Sequence, residues 1–182
     1  GDVLNFQITL KDLIDPDTEY LLVFLITPAD REPIRYYTRL IQSEDLHVRE
    51  KLDYITDFND RTFDKEKAAE LTKYLESNAE GDNTSFHKVT IHSSFDQVTW
   101  GDLGPVRVGS PTITIKELAT QTGSFIMEYY VTTREGRDTS YYRVKEYYRV
   151  RYTTDRMYLL DYERDMDQIF DESANLFTNN KI

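Results

Sequence analysis

From Tyr141 to Tyr152 the chain reads Tyr-Tyr-Arg-Val-Lys-Glu-Tyr-Tyr-Arg-Val-Arg-Tyr, and along a strand successive side chains point to opposite faces. One face collects Tyr142, Val144, Tyr148, Val150 and Tyr152, a core-facing set interrupted only by Glu146. The other collects Tyr141, Arg143, Lys145, Tyr147, Arg149 and Arg151, a basic strip with interleaved aromatics. Tyrosine and arginine are enriched in interface cores and hot spots. The strip is therefore the candidate interaction surface, suited to a protein partner or to an anionic polymer such as a glycan or a phosphorylated chain. The same residues also suit a purely structural ladder. With a three-residue turn at Thr153–Asp155, Arg143 falls opposite Asp165, Lys145 opposite Glu163 and Tyr147 opposite Asp161, and such pairs contribute ~0.2–1 kcal/mol each.

Other constellations carry less. Of the three histidines, His47, His87 and His92, no two sit at i, i+4 on a helix. His87 and His92, five apart on a strand, point to opposite faces, so they do not compose the ligand set zinc needs. Asp15-Pro16-Asp17-Thr18-Glu19 and Asp57-Phe58-Asn59-Asp60 open like calcium loops but lack the glycine at position six and the glutamate at position twelve. Turn and capping roles account for both. Ser93 and Ser94 follow His92, but neighbours in a strand diverge, and there is no Gly-x-Ser-x-Gly elbow. The seven glycines form neither a dinucleotide fingerprint nor a phosphate loop. The 33 acids leave room for a facing carboxylate pair of the glycosidase kind, although strand-end acids such as Glu117 and Glu128 are equally explained by solvation. Trp100 beside Gly101 offers a sugar-stacking ring, and a packing residue just as readily. No catalytic residue, cofactor-binding residue, cofactor or metal ligand is assigned.

The elements that must position the strip sit in an acidic chain. Its 182 residues carry 33 Asp and Glu against 22 Lys and Arg, for a net charge of −11, which argues against binding nucleic acid through its phosphates. The charge is uneven: residues 1–82 hold 19 acids and 10 bases, residues 83–182 hold 14 and 12, and nine of the fourteen tyrosines lie between Tyr129 and Tyr162. At 39% hydrophobic and 13% aromatic the composition is that of a folded protein. The longest apolar run, Tyr20 to Ile26, has a strand's length and not the ~20 residues of a membrane helix, so this fragment is expected not to insert in a membrane. With no cysteine, disulfides, thiolate metal sites and thiol nucleophiles are excluded.

Gly1 in place of Met looks like a cleavage scar. Together with the cysteine-free composition it leads us to expect an excised extracytoplasmic domain, secreted or at the cell surface, of a larger bacterial protein with room for a membrane anchor upstream. A cytoplasmic location is the alternative. The acidic, Tyr- and Thr-rich strands resemble those of extracytoplasmic accessory domains from Gram-positive membrane proteins, a likeness of composition that names no family. The expected function is a non-catalytic binding or interaction module; the alternative is a saccharide- or peptide-directed hydrolase using a carboxylate pair.

Hydrophobic periodicity predicts an α+β fold in one domain over residues 1–182, with a sub-boundary near 78–84 between a ββαα-type unit and a strand-rich one. Strands are expected at Val3–Leu10, Tyr20–Ile26 (continuous, hence covered on both faces) and Ile34–Ile41. A helix capped by Ser43 follows, and then a second one capped by Asp64. Short strands are expected at Ser85–His92, Gln97–Trp100 and Thr112–Lys116. An antiparallel meander at Ser124–Thr133, Thr139–Thr153 and Met157–Glu163 comes next, then a short C-terminal helix from Asp165. The expected core includes Phe6, Ile8, Leu22, Phe24, Ile26, Leu52, Leu71, Leu75, Tyr148 and Val150.

Overall fold

A computed structural model describes residues 5, 7–11, 14–135 and 138–169, and the chain divides into two compact units, Gly1–Leu46 and His47–Ile182. The first unit is built on β1 (Glu19–Ile26) and β2 (Ile34–Ile41), an antiparallel pair in register from Glu19↔Ile41 to Ile26↔Ile34. Asp17, at a positive φ of 58°, turns the chain into β1, and its backbone N–H donates to the Gln42 carbonyl at 2.7 Å. The apolar run of β1 is not a central strand. Leu21, Val23 and Leu25 are exposed opposite Arg39, Tyr37 and Arg35. Leu22 and Phe24 are half-buried, and with Ile8 and Leu10 they line a hollow of about 210 Å³. A continuous apolar run reports hydrophobicity, not the number of neighbouring strands, and among the described residues the sheet stops at two. Two expected core residues, Ile8 and Ile26, are therefore exposed, at 61% and 46%. Phe6 lies outside the described residues, and 5 and 7–11 form no strand.

The second unit carries the α+β architecture. Helix α1 (Val48–Thr62) begins five residues beyond Ser43, with His47 at its N-cap in the left-handed region (φ 48°) and stacked 3.7 Å from the Tyr152 ring. Asp64 caps α2 (Lys65–Ala68) as expected, accepting from the Glu66 and Lys67 backbone N–H groups. The helix then tightens into a 3-10 segment, Ala69–Tyr74, which buries Leu71. The connector at 78–84 lies inside this unit and leads to β3 (Lys88–Thr90). The strand expected at Gln97–Trp100 is instead the end of a one-turn helix, α3 (Phe95–Val98), because Ser94 caps it and accepts from Gln97 N–H at 3.2 Å.

Four long strands follow: β4 (Val106–Leu118), β5 (Thr122–Glu135), β6 (Asp138–Tyr152) and β7 (Met157–Gln168). β5 to β7 form the expected antiparallel meander, β4 extends it by a fourth strand, and β3 completes the sheet on β7 in the order β3-β7-β6-β5-β4. The helix expected from Asp165 is contradicted as far as Gln168. Tyr162, Arg164 and Met166 alternate inward there as strand residues, and an arginine among the inward set hides that alternation from a hydrophobicity pattern. Residues 170–182 of that expectation lie outside the described ones. Ile55 and Phe58 of α1 pack with Phe125, Met127, Val144, Tyr148, Val150 and Tyr162 of the sheet in one buried cluster. Leu52 and Leu75 lie at its margin.

Candidate interaction face

The two faces of β6 do opposite things. On the inner face Glu146 is fully buried and its carboxylate accepts four hydrogen bonds. Asn59 Nδ2 of α1 and the Tyr148 hydroxyl each donate to Oε2 at 2.6 Å. The hydroxyls of Tyr129 on β5 and Tyr162 on β7 donate to Oε1 at 3.1 and 3.0 Å. Asn59 is itself pinned, because its Oδ1 accepts from Arg107, whose guanidinium lies 4.6 Å from the Phe63 ring centre and 5.3 Å from that of Tyr129. Arg164, also fully buried, stacks 3.4 Å over Trp100 and donates to the carbonyls of Val98 and Gln97 at 2.9 and 2.7 Å. A buried carboxylate needs its acceptor sites filled, and here donors from three strands and a helix fill them. The group is sealed: it is the polar centre of a core and not an open catalytic site.

Burial is the largest cause holding the phenols of Tyr129, Tyr148 and Tyr162 well above the usual tyrosine range, and the negative charge of Glu146 adds to it. At Tyr162 the positive charge of Arg164 opposes the rise. Burial likewise raises Tyr54. An unfolded tyrosine ionises near pH ~10. A phenol whose folded pKa is higher contributes stability fully present below that pH and lost as pH rises above it. In an alkaline titration the tyrosinate absorbance of these four is expected only in step with loss of near-ultraviolet circular dichroism. Ionisation of all fourteen tyrosines in the still-folded protein is the contrary result.

The outer face carries the basic strip as a column: Tyr141, Arg143, Lys145, Arg149 and Arg151 are exposed and Tyr147 half-buried. Across to β7, Arg143 stands opposite Asp167, Lys145 opposite Asp165, Tyr147 opposite Glu163, Arg149 opposite Asp161 and Arg151 opposite Tyr158. This register lies two residues beyond the one a three-residue turn produces. The turn spans four residues, with Thr153 N–H donating to the Arg156 carbonyl at 3.1 Å, and an irregularity between Arg149 and Val150 passes over Leu160. Acids thus face the bases, yet the ladder is mostly unclosed. Arg143 forms its ion pair with Glu128 on β5, which holds the guanidinium more firmly protonated. Arg151 lies 5.0 Å over the Tyr158 ring, and Tyr147 donates to Ser124 at 3.3 Å. The side chains of Lys145 and Arg149 have no ion pair or hydrogen bond among the described residues. Toward the β4 edge the face becomes apolar, with Val106 64%, Val108 44%, Tyr130 50% and Tyr141 45% exposed.

The remaining sequence candidates are dispersed. Trp100 is 1% exposed beneath Arg164 and offers no sugar platform. Ser93 is buried with its hydroxyl accepting from Thr90 N–H, and Ser94 serves as a cap, so neither joins His92 in a nucleophilic arrangement. His87 meets the Met166 carbonyl at 3.1 Å, and His92 meets Asn78 and the Glu76 carbonyl. Asp57 to Asp60 lie within α1 and not in a loop. A cleft of about 400 Å³ does gather Asp57, Asp60, Glu66 and Glu70 with Arg61 and Lys67. Three of its acids are ion-paired, Asp57 to Arg61 at 2.7 Å, Asp60 to Arg107 at 2.7 Å and Glu70 to Arg61 at 3.5 Å, and are more than half exposed; Glu66 is exposed as well. That is a poor setting for a general acid, which needs a desolvated carboxyl. No helix of the described residues is long and apolar enough to cross a membrane. Comparison with protein-family models, curated proteins and solved structures finds no match to the chain.

Proposed function

We propose that this chain is a non-catalytic interaction module that docks a protein partner on the outer face of the five-stranded sheet, through Tyr141, Arg143, Lys145, Tyr147, Arg149 and Arg151. The observation that carries it is the column itself: exposed bases and tyrosines on the central strand, two of the bases without side-chain partners among the described residues, beside an apolar corner. Tyrosine, arginine and aliphatic groups together are what an interface core requires. A protein partner is favoured over an anionic polymer because Asp161, Glu163, Asp165 and Asp167 line the next strand, only about 5 Å away, and would repel a uniformly negative chain. An extracytoplasmic setting belongs to the same proposal, and fractionating cells that express the full-length gene product tests it.

The docking surface is tested by placing a photo-crosslinking residue at Tyr141, at Tyr147 and, as a control, at Glu80 in that product. Protein crosslinks from the first two positions, absent from the third and lost on Arg149→Glu without a fall in melting temperature, are expected. Crosslinks to a polysaccharide alone move the partner to the other class. Hydrolysis of a saccharide or peptide that disappears with Asp60→Asn replaces docking with catalysis.

A further inference from the structure

Read row by row, the β6–β7 pair holds one chemical type on β6 and its complement on β7. Tyr141 stands beside Ile169, whose N–H donates to its carbonyl at 2.8 Å. Below it come Arg143 with Asp167, Lys145 with Asp165, Tyr147 with Glu163, Arg149 with Asp161 and Arg151 with Tyr158. Apolar meets aromatic, base meets acid three times, phenol meets carboxylate and guanidinium meets ring. Such an arrangement is self-complementary. A two-fold axis parallel to the sheet, running along the strands about 5 Å above the outer face and midway between β6 and β7, carries each β6 side chain over the β7 side chain of its own row in a second copy. Sheets packed face to face lie about 10 Å apart with strands within about 30° of one another, so side chains of arginine and aspartate length meet between them.

We infer that the partner on this face is a second copy of the chain, docked sheet to sheet about that axis. This rests on the outer face being a docking surface, and it names the occupant from charge complementarity. Lys145, Arg149, Asp161 and Asp165 form no ion pair within their own chain among the described residues, so they are available to one across the axis. An acidic protein of another kind satisfies the β6 bases but meets repulsion from β7; a second copy satisfies both strands at once. The patch is about 35 Å long and a few strands wide, at the small end of specific interfaces, so the dimer is transient and salt-sensitive.

Sedimentation velocity on the whole chain tests this. The wild type is expected to pass from monomer to dimer as concentration rises, with the dimer weakening as salt is raised from about 50 to about 500 mM. Lys145→Glu with Arg149→Glu, and separately Asp161→Lys with Asp165→Lys, should each weaken self-association by about tenfold or more, while an equimolar mixture of the two restores a dimer. Because the chain has no cysteine, a second measurement stands even if those variants fold poorly. With a bis-maleimide crosslinker spanning about 10 Å, the sheet-to-sheet gap, Tyr147→Cys mixed with Glu163→Cys should give a crosslinked mixed dimer in excess over either homodimer. A wild type that stays monomeric to its solubility limit overturns the inference, as does a dimer indifferent to both charge swaps and showing no preference for the mixed crosslink. A monomer that still crosslinks to a different protein through Tyr141 removes the second copy but leaves the docking function standing. A monomer that crosslinks to nothing removes both.

Discussion

Glu146→Ala is expected to cost about 3–5 kcal/mol of stability in the second unit, the range for breaking a buried charged network from one side. The substitution strips the acceptor from Asn59, Tyr129, Tyr148 and Tyr162 together and leaves a cavity in a close-packed interior. Glu146→Gln is the more informative change because it keeps the volume. Its amide nitrogen cannot take the Oε2 position, where Asn59 Nδ2 already donates and is held so by Arg107 on its other atom. It must sit at the Oε1 position, and the hydroxyls of Tyr129 and Tyr162 must then turn round to accept. Tyr129 also receives from Asn59 at 3.1 Å, so its proton is left with no acceptor. Two hydroxyl protons stranded at about 1–3 kcal/mol each put this variant at a loss of about 2–6 kcal/mol. Removing every member together, Glu146→Met with the three tyrosines changed to phenylalanine and Asn59→Leu, should recover much of the loss, since apolar replacement of a whole network is often nearly neutral; Arg107 keeps its ion pair with Asp60. Urea denaturation read by circular dichroism decides the matter: a midpoint for Glu146→Ala within about 1 kcal/mol of wild type would show that the cluster contributes little.

Arg164→Met is the second large effect, again about 3–5 kcal/mol, from about 1–3 for a stranded buried carbonyl and about 2 for a desolvated cation–π contact. Its guanidinium donates to the Gln97 and Val98 carbonyls at the end of α3, where a helix leaves carbonyls without intrahelical partners. Gln97 keeps the Trp100 N–H as a donor, whereas the Val98 carbonyl has Arg164 alone among the described hydrogen bonds. The same group caps the Trp100 ring at 3.4 Å, and its positive charge is felt at Tyr129 and Tyr162. Methionine fills part of the space and supplies none of this. Arg164→Lys should recover less than half of the stability, because an ammonium neither stacks flat on an indole nor forks to two carbonyls. The chain's single tryptophan reports directly: its emission should shift and its near-ultraviolet signal fall in Arg164→Met before any denaturant is added. An unchanged tryptophan spectrum with unchanged stability would contradict the role assigned to Arg164.

The alternation of β6 was legible because a long strand in a meander carries its period in its own residues, and both of its faces came out as read. Glu146 stood out as the one interruption, but what fills that position was not legible. Of its four donors only Tyr148 is local; the others come from Asn59, 87 residues away, and from Tyr129 and Tyr162, 17 and 16 residues off on neighbouring strands, so no local pattern joins them. The strip's place on the outer face could be read, but its register could not, since one extra turn residue and one irregularity near Leu160 each shift the opposing acids by one. β1 misled for a different reason. Seven apolar residues in a row describe a strand that is sticky on both sides, and only the topology tells that a single strand pairs with it. Asp165–Gln168 misled because acid and arginine positions obscured a strand's period, while Met166 and Ile169 mimicked a helix's.

The polar centre of the inner face also governs the order in which the unit is assembled. Strands β4 to β7 follow one another in sequence and pair with their immediate successors, contacts of short loop length that form early. The bond from Asn59 to Glu146 closes a loop of 87 residues and must come later. Until α1 arrives, Glu146 on the open sheet keeps its water. When the helix docks it expels that water and supplies the amide in its place. A helix that lands one turn out of place covers the carboxylate with only its three tyrosine donors in place, and the missing amide donor disfavours that seat. An apolar inner face would let the helix slide among several nearly equal positions. This one accepts a single seat, so the carboxylate acts during folding as a checkpoint on how α1 is set.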